Sequence, residues 1–273
     1  MKSILINPDT CTKCGTCMEI CPVNLIVPDS EGMPFMPDEV GVFCTKCGNC
    51  EAFCPEDSIS PEFNTTHSTI SEEERHGITP GQIGVYMRQR RSVRNYTDEI
   101  VKREKIEEIL DIARYSPSGM NNQPVHWLII HDPEEVRELT RISIDWMRGI
   151  RDSEEMHPLK TIVPPLISAY EAGKDPICHG APHVAIAYAA EENPMAFTDS
   201  IIALSWFELA APAFDLGTCW AGFLKMAASE YPLLIKELDL PEGHIVQYAM
   251  MFGYPMYKVR NIPGREPARV SWK

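Results

Sequence analysis

The chain has 273 residues, ten of them cysteine, a hydrophobic fraction of 44% and a formal net charge of −14. That length and apolar content suffice for two domains, or for one large domain with a cofactor module attached. The charge argues against nucleic acid as a partner, because phosphate binding needs a basic surface, and no apolar run approaches the length of a membrane span.

In chain order, residues 2–6 read as a short strand, entered directly from the first methionine, so no signal peptide is expected. Cys11, Cys14, Cys17 and Cys21-Pro22 then form C-x2-C-x2-C-x3-C-P, and Cys44, Cys47, Cys50 and Cys54-Pro55 repeat that spacing 33 residues later. A zinc site would close with four ligands and leave cysteines idle, and a disulfide framework suits small secreted domains. The two runs resemble those of the two-cluster bacterial ferredoxins, in which the fourth cysteine of each run serves the other cluster. The resemblance covers residues 1–62 and implies two [4Fe–4S] clusters, one on Cys11, Cys14, Cys17 and Cys54, the other on Cys44, Cys47, Cys50 and Cys21. Residues 23–37 read as a hairpin, 41–43 lead into the second run, and 58–60 form a return strand. This stretch of 62 residues holds three Lys or Arg against ten Asp or Glu, a net −7. That serves solubility, or a basic or metal-bearing electron partner. Such clusters and two spare thiols, Cys178 and Cys219, fit a reducing cytoplasm.

Residues 63–80 shift to Thr, Ser, Glu and His and read as a linker, with a second domain over 81–273. Residues 83–89 are expected to be helical. Asp98 is a candidate cap for the next helix, which carries Ile106, Ile109, Leu110 and Ala113 on one face. After the turn and amide residues 116–124, residues 125–130 read as a buried strand, and Pro133 opens a helix to about 151. Residues 152–180 lack clean periodicity and are expected to be a short-helix lid or insert. A strand over 182–190, a helix over 198–216 that is apolar nearly all round, a turn over 217–222, a helix over 229–238 and a strand over 245–252 follow. The tail, 253–273, is rich in Pro and Arg and reads as an arm. Trp127, Trp206 and Phe207 are expected in the core, and His126 and His183 as satisfied packing residues.

No dinucleotide fingerprint, Walker loop, nucleophile elbow or H-E-x-x-H pattern is present. Arg90, Ser92 and Arg94 alternate, a spacing that can point three phosphate-binding groups one way. R-R-S-V-R-N-Y, P-S-G-M-N-N-Q-P-V-H-W, G-A-P-H-V-A-I-A-Y-A, L-G-T-C-W-A-G-F and a late G-Y-P occur in that order. Jointly they resemble the FMN-dependent nitroreductase family, in its branch with an N-terminal ferredoxin module. The resemblance implies an α+β fold, a central antiparallel-rich sheet flanked by helices, and a homodimer with FMN at the subunit interface. It assigns the FMN phosphate and ribityl chain to Arg90, Arg91, Ser92 and Arg94, with Arg265 and Arg260 as late phosphate-binding arginines. Asn121 and Gln123 match amides that bond the flavin. Pro117, Ser118 and Gly119 match a loop contacting the partner's flavin, and Trp220, Ala221 and Gly222 match a turn approaching flavin N5. Val125 departs from the family pattern, where tryptophan often follows Gln-Pro.

The expected activity is reduction of a nitroaromatic, quinone or similar planar electrophile, with electrons relayed from the clusters to FMN. Two alternatives stay open: an NAD(P)H-dependent flavin enzyme passing electrons outward, and a non-enzymatic electron-transfer or redox-sensing adaptor. Ferredoxin or NAD(P)H is the candidate donor. The family requires no side chain as acid or base, so no catalytic residue is named.

Overall fold

The computed structural model describes residues 4–63, 70, 71, 74 and 77–273, and the chain divides into two compact units. The first comprises Met1–Gly77 with Gly119–Asn122, the second Ile78–Ser118 with Gln123–Lys273.

In the first unit, β1 (Ile4–Ile6) pairs antiparallel with β4 (Ile59–Pro61), so the module's two ends are tied together. Between them, β2 (Val27–Pro28) and β3 (Pro34–Phe35) form a hairpin. Asp29 closes its turn by accepting the N–H groups of Glu31 and Met33, both at 2.8 Å. Two short helices, α1 (Thr16–Ile20) and α2 (Asn49–Ala52), each start on a left-handed glycine, Gly15 and Gly48. The buried cluster is small: Ile4, Cys17, Ile26 and Ile59, packed by Met18, Met36, Cys21, Cys50 and Cys54. A core of this size needs a staple, and four of its residues, Cys17, Cys21, Cys50 and Cys54, belong to the cysteine runs.

The second unit is built on a four-stranded antiparallel sheet in the order β5 (His126–Ile130), β6 (His183–Ala190), β8 (His244–Gly253), β7 (Gly217–Trp220). Alternation along the strands feeds two cores. Val184, Ile186, Ala249 and Met251 enter one, with α5 (Pro133–Asp152), α6 (Val163–Glu171), α8 (Gly222–Glu230) and α9 (Pro232–Leu238). Ala185, Ala187, Met250 and Phe252 enter the other, with α4 (Arg103–Ala113) and α7 (Ala196–Ala210). The order of labels is completed by α3 (Pro80–Gln89), which Thr79 and Gln82 open with reciprocal side-chain-to-backbone bonds.

Several expectations are corrected. Asp98 is not a cap: α4 begins at Arg103, because the chain before it is held extended by Thr97 N–H to Tyr254 O (2.9 Å) and Val101 N–H to His183 Nε2 (2.9 Å). The short helix expected within 152–180 is present as α6, and the segment is an insert packed into the core, with Leu159, Val163, Ile167, Ile177 and Cys178 buried beside α5. Residues 217–220 form a strand rather than a turn, and Pro232 divides the expected helix over 229–238. Phe207 is fully buried, as expected, but Trp206 is 38% exposed. The linker ends in α3's cap, while 64–69, 72, 73, 75 and 76 lie outside the described residues.

Candidate functional site

The two cysteine runs repeat in backbone as well as spacing. Lys13 and Lys46 take φ of +58° and +52°, Gly15 and Gly48 +83° and +74°, Asn24 and Asp57 +52° and +48°. Left-handed lysines are rare, and here they curl each loop so that its sulfurs turn inward. The result is a pair of small, near-equal cavities, ≈ 20 Å³ each. Cys11, Cys14, Cys17 and Cys54 line the first, together with Pro34, Pro55 and Ile59. Cys21, Cys44, Cys47 and Cys50 line the second, with Ile26, Met36 and Phe63. Each cavity thus takes three sulfurs from one run and the fourth from the other. Leu25 N–H points at Cys21 Sγ (3.4 Å), and the equivalent Ser58 N–H at Cys54 Sγ (3.2 Å); such donors offset negative charge on sulfur. Among the described residues no three of His, Cys, Asp or Glu close on a single-ion point. Four thiols spread around an apolar-walled cavity are a donor set for a polynuclear iron–sulfur cluster.

In the second unit, the alternating arginines lie along the edge of the sheet. Ser92 forms a parallel bridge with Thr218 of β7, and Val93 N–H donates to Thr218 O at 2.9 Å. Glycine at 217 makes this possible: a Cβ there would stand 2.5 Å from Val93 Cγ2. Arg90, at the end of α3, meets Glu208 of α7 with Nη1–Oε1 at 3.1 Å. Arg91 folds its guanidinium back onto the carbonyls of Arg88 and Gln89, and Arg94 is exposed. The buried Cys219 thiol, pushed up by burial, is pulled back by Arg94, the Ser92 hydroxyl and Arg90 and pushed further by Glu208. These groups therefore lie within electrostatic reach of Cys219 on β7. Two guanidinium groups and a hydroxyl are donors of the kind a phosphate ester accepts.

Just beyond, Trp220 stacks edge-on against Tyr248 at 5.1 Å, and Ala221 N–H donates to Ala249 O (2.9 Å). No side chain caps α8, which starts at Gly222, so its first-turn N–H groups are the kind of donors an electron-rich ring edge accepts. The residues present fit a flavin mononucleotide: cationic groups for the phosphate and backbone donors one strand-length away for the ring.

The remaining candidates lie elsewhere. Ser118 and Gln123 line a second-unit cleft of ≈ 400 Å³ with Val125, Trp127, Asp199 and Ala203, and Ser118 Oγ accepts Gln123 N–H at 3.0 Å. Pro117 is exposed beside it. Gly119 and Asn121 belong to the first unit, where Asn121 Nδ2 donates to Thr45 O (3.1 Å) and Lys46 O (3.0 Å). Met120, Asn121 and Gln123 all have positive φ, +53°, +54° and +47°, a strained stretch of a kind found at ligand sites. Arg260 and Arg265 are exposed on the tail. Sequence reasoning missed Glu208; an acid on the last turn of an apolar helix was the available signal, since a buried carboxylate needs a cation.

Residues 87–254 match the nitroreductase family and residues 10–59 the 4Fe-4S dicluster domain. A protein of Archaeoglobus fulgidus, provisionally named NADH dehydrogenase/NAD(P)H nitroreductase, is 27% identical over 169 residues, 61% of this chain and 81% of its own length. The FMN reductase (NAD(P)H) of Bacillus subtilis is 24% identical over 181 residues, 60% of this chain but 62% of its own. The crystal structure of a nitroreductase with bound FMN from Bacteroides fragilis shares the fold, with a TM-score of 0.55 and 21% identity over 70% of this chain and 99% of that one. The chain belongs to the nitroreductase family and carries a 4Fe-4S dicluster domain at its N-terminal end.

Proposed function

We propose that this FMN-dependent oxidoreductase reduces small planar electrophiles, nitroaromatics or quinones, with electrons entering through two [4Fe–4S] clusters. The observation that carries the reading is the pair of four-cysteine cavities on a chain whose larger unit is a nitroreductase. Clusters pass single electrons, and FMN exchanges one or two, so together they turn single-electron input into two-electron reduction. Cys11, Cys14, Cys17 and Cys54 hold one cluster, and Cys44, Cys47, Cys50 and Cys21 the other. Arg90, Ser92 and Arg94 bind the FMN phosphate, and the backbone at Trp220, Ala221 and Gly222 orients the ring. Asn121, Gln123, Arg91, Arg260 and Arg265 complete the set, with Pro117, Ser118 and Gly119 facing the flavin of a second copy.

The proposal includes the division into a cluster module over 1–62, a linker over 63–80 and a flavin domain over 81–273, and a homodimer. The outward side of α7 supports the dimer: Phe197 and Trp206 are exposed on a helix with few polar residues, as are Met256, Tyr257 and Trp272 on the tail, apolar surface that a second copy would cover. Among the described residues no helix is long and apolar enough to cross a membrane. The proposal also includes a reducing cytoplasm as the location, which suits the clusters and the free thiols Cys178 and Cys219.

The printed names of the relatives favour a second reading, in which NAD(P)H reduces the flavin and the clusters carry electrons outward. Anaerobic stopped-flow separates the two. Mixed with a reduced ferredoxin, the cluster bands should bleach before the flavin band, and NAD(P)H should bleach neither. Flavin bleached first by NAD(P)H reverses the direction, and anaerobically purified protein without flavin ends both readings.

A further inference from the structure

Glu208 is a buried acid, its side chain 10% exposed, and its cation is Arg90, the first of the alternating arginines. Arg90's backbone is already fixed from both sides. Upstream, Tyr86 Oη donates to Leu209 O at 2.6 Å, one residue beyond Glu208. Downstream, Ser92 and Val93 are laced to Thr218. What those ties leave open is the long side chain of Arg90, and the 3.1 Å contact with Glu208 removes that freedom. The contact uses one donor of a guanidinium that has five, so the others stay available for an anion.

We propose that Glu208 is a positioning residue for the flavin phosphate: it holds the Arg90 guanidinium ready, so that FMN binds without first ordering that side chain. The inference rests on the reading of Arg90 as a phosphate ligand. Holding a long side chain in place before binding lowers the entropy cost of association. A carboxylate that merely competed for Arg90 would have the opposite effect, and the sign of the change distinguishes the two roles.

The test uses the full chain with its clusters in place and its flavin removed, titrated with FMN and, separately, with riboflavin, which lacks the phosphate. Quenching of flavin fluorescence reads both affinities. Glu208→Ala should weaken FMN about tenfold, the scale of one charge-assisted hydrogen bond, and leave riboflavin unchanged. Glu208→Gln, whose amide oxygen still accepts from Arg90, should lose less. Added to Arg90→Ala, the change at Glu208 should cost nothing further, because the two act through one interaction. Tighter FMN binding by Glu208→Ala, equal losses for FMN and riboflavin, or additive losses in the double variant would overturn the assignment. So would a loss in Arg90→Ala with none in Glu208→Ala, which leaves Arg90 a phosphate ligand. If Arg90→Ala spares the FMN-to-riboflavin ratio, the phosphate reading falls and takes the inference with it.

Discussion

His183 is a fully buried imidazole with both nitrogens engaged. Nε2 accepts Val101 N–H at 2.9 Å, and Nδ1 lies 2.8 Å from His131 O. His131 Nε2 in turn bonds Val101 O at 2.8 Å, and the rings stack at 4.6 Å. Burial pushes the His183 pKa down to about 4 from 6.5, so the folded chain holds it neutral where the unfolded chain would protonate it. Below pH 6.5 the unfolded state therefore binds the extra proton, and stability falls as pH drops towards 4 and is level above 6.5. His183→Gln should flatten that slope; apparent Tm between pH 5 and 7 with the same slope in both proteins would refute it. Gly217 is the second residue with a sharp consequence. Gly217→Ala drives a methyl into Val93 and should cost about 1–3 kcal/mol, as overpacking does, while lowering flavin retained on purification. A variant as stable and as yellow as the parent would show that Val93 yields. The alternating arginines were legible because their pattern is local. Glu208 and Gly217 were not, because their partners lie 118 and 124 positions away.

Elements divide along the same line. The sheet's long strands β6 and β8 stand out as apolar runs, and α5 opens at Pro133 as read, whereas α3 begins at Pro80, three residues before the expected start, because Thr79 and Gln82 form a capping box inside the stretch read as linker. β7 did not, since four residues opening on glycine and ending next to Ala-Gly carry turn chemistry, and only pairing with β8 makes them extended. α6 misled for another reason. It is nine residues long with two prolines in its first turn, and Val163, Leu166, Ile167 and Tyr170 set its inner face at helical spacing. Two turns opened by a pair of prolines are a short span in which to read a period, yet Ile167 is 1% exposed in the main core. Ile167→Ala should cost about 2–4 kcal/mol in chemical denaturation, the range for core truncations. A change below about 0.5 kcal/mol, as surface positions give, would return the segment to the status of a lid.

At the scale of the whole molecule, the first 62 residues carry half the net charge and almost no apolar core, so this unit depends on its sulfur cavities for order. Cys54→Ala removes a sulfur from the cavity of the first run and Cys21→Ala from that of the second. Each should leave about half the iron, with different paramagnetic spectra after reduction, read by iron analysis and electron paramagnetic resonance. Identical spectra would mean that the fourth sulfurs are not crossed. The crossing also bears on how the two halves depend on each other. One run with its hairpin half offers three sulfurs to one cavity and lends its fourth to another, so a solitary half is always one ligand short. Such a half standing alone would have to take its fourth ligand from solvent or from a second copy. Carrying both halves in one chain supplies that sulfur from within, so the module needs no mate.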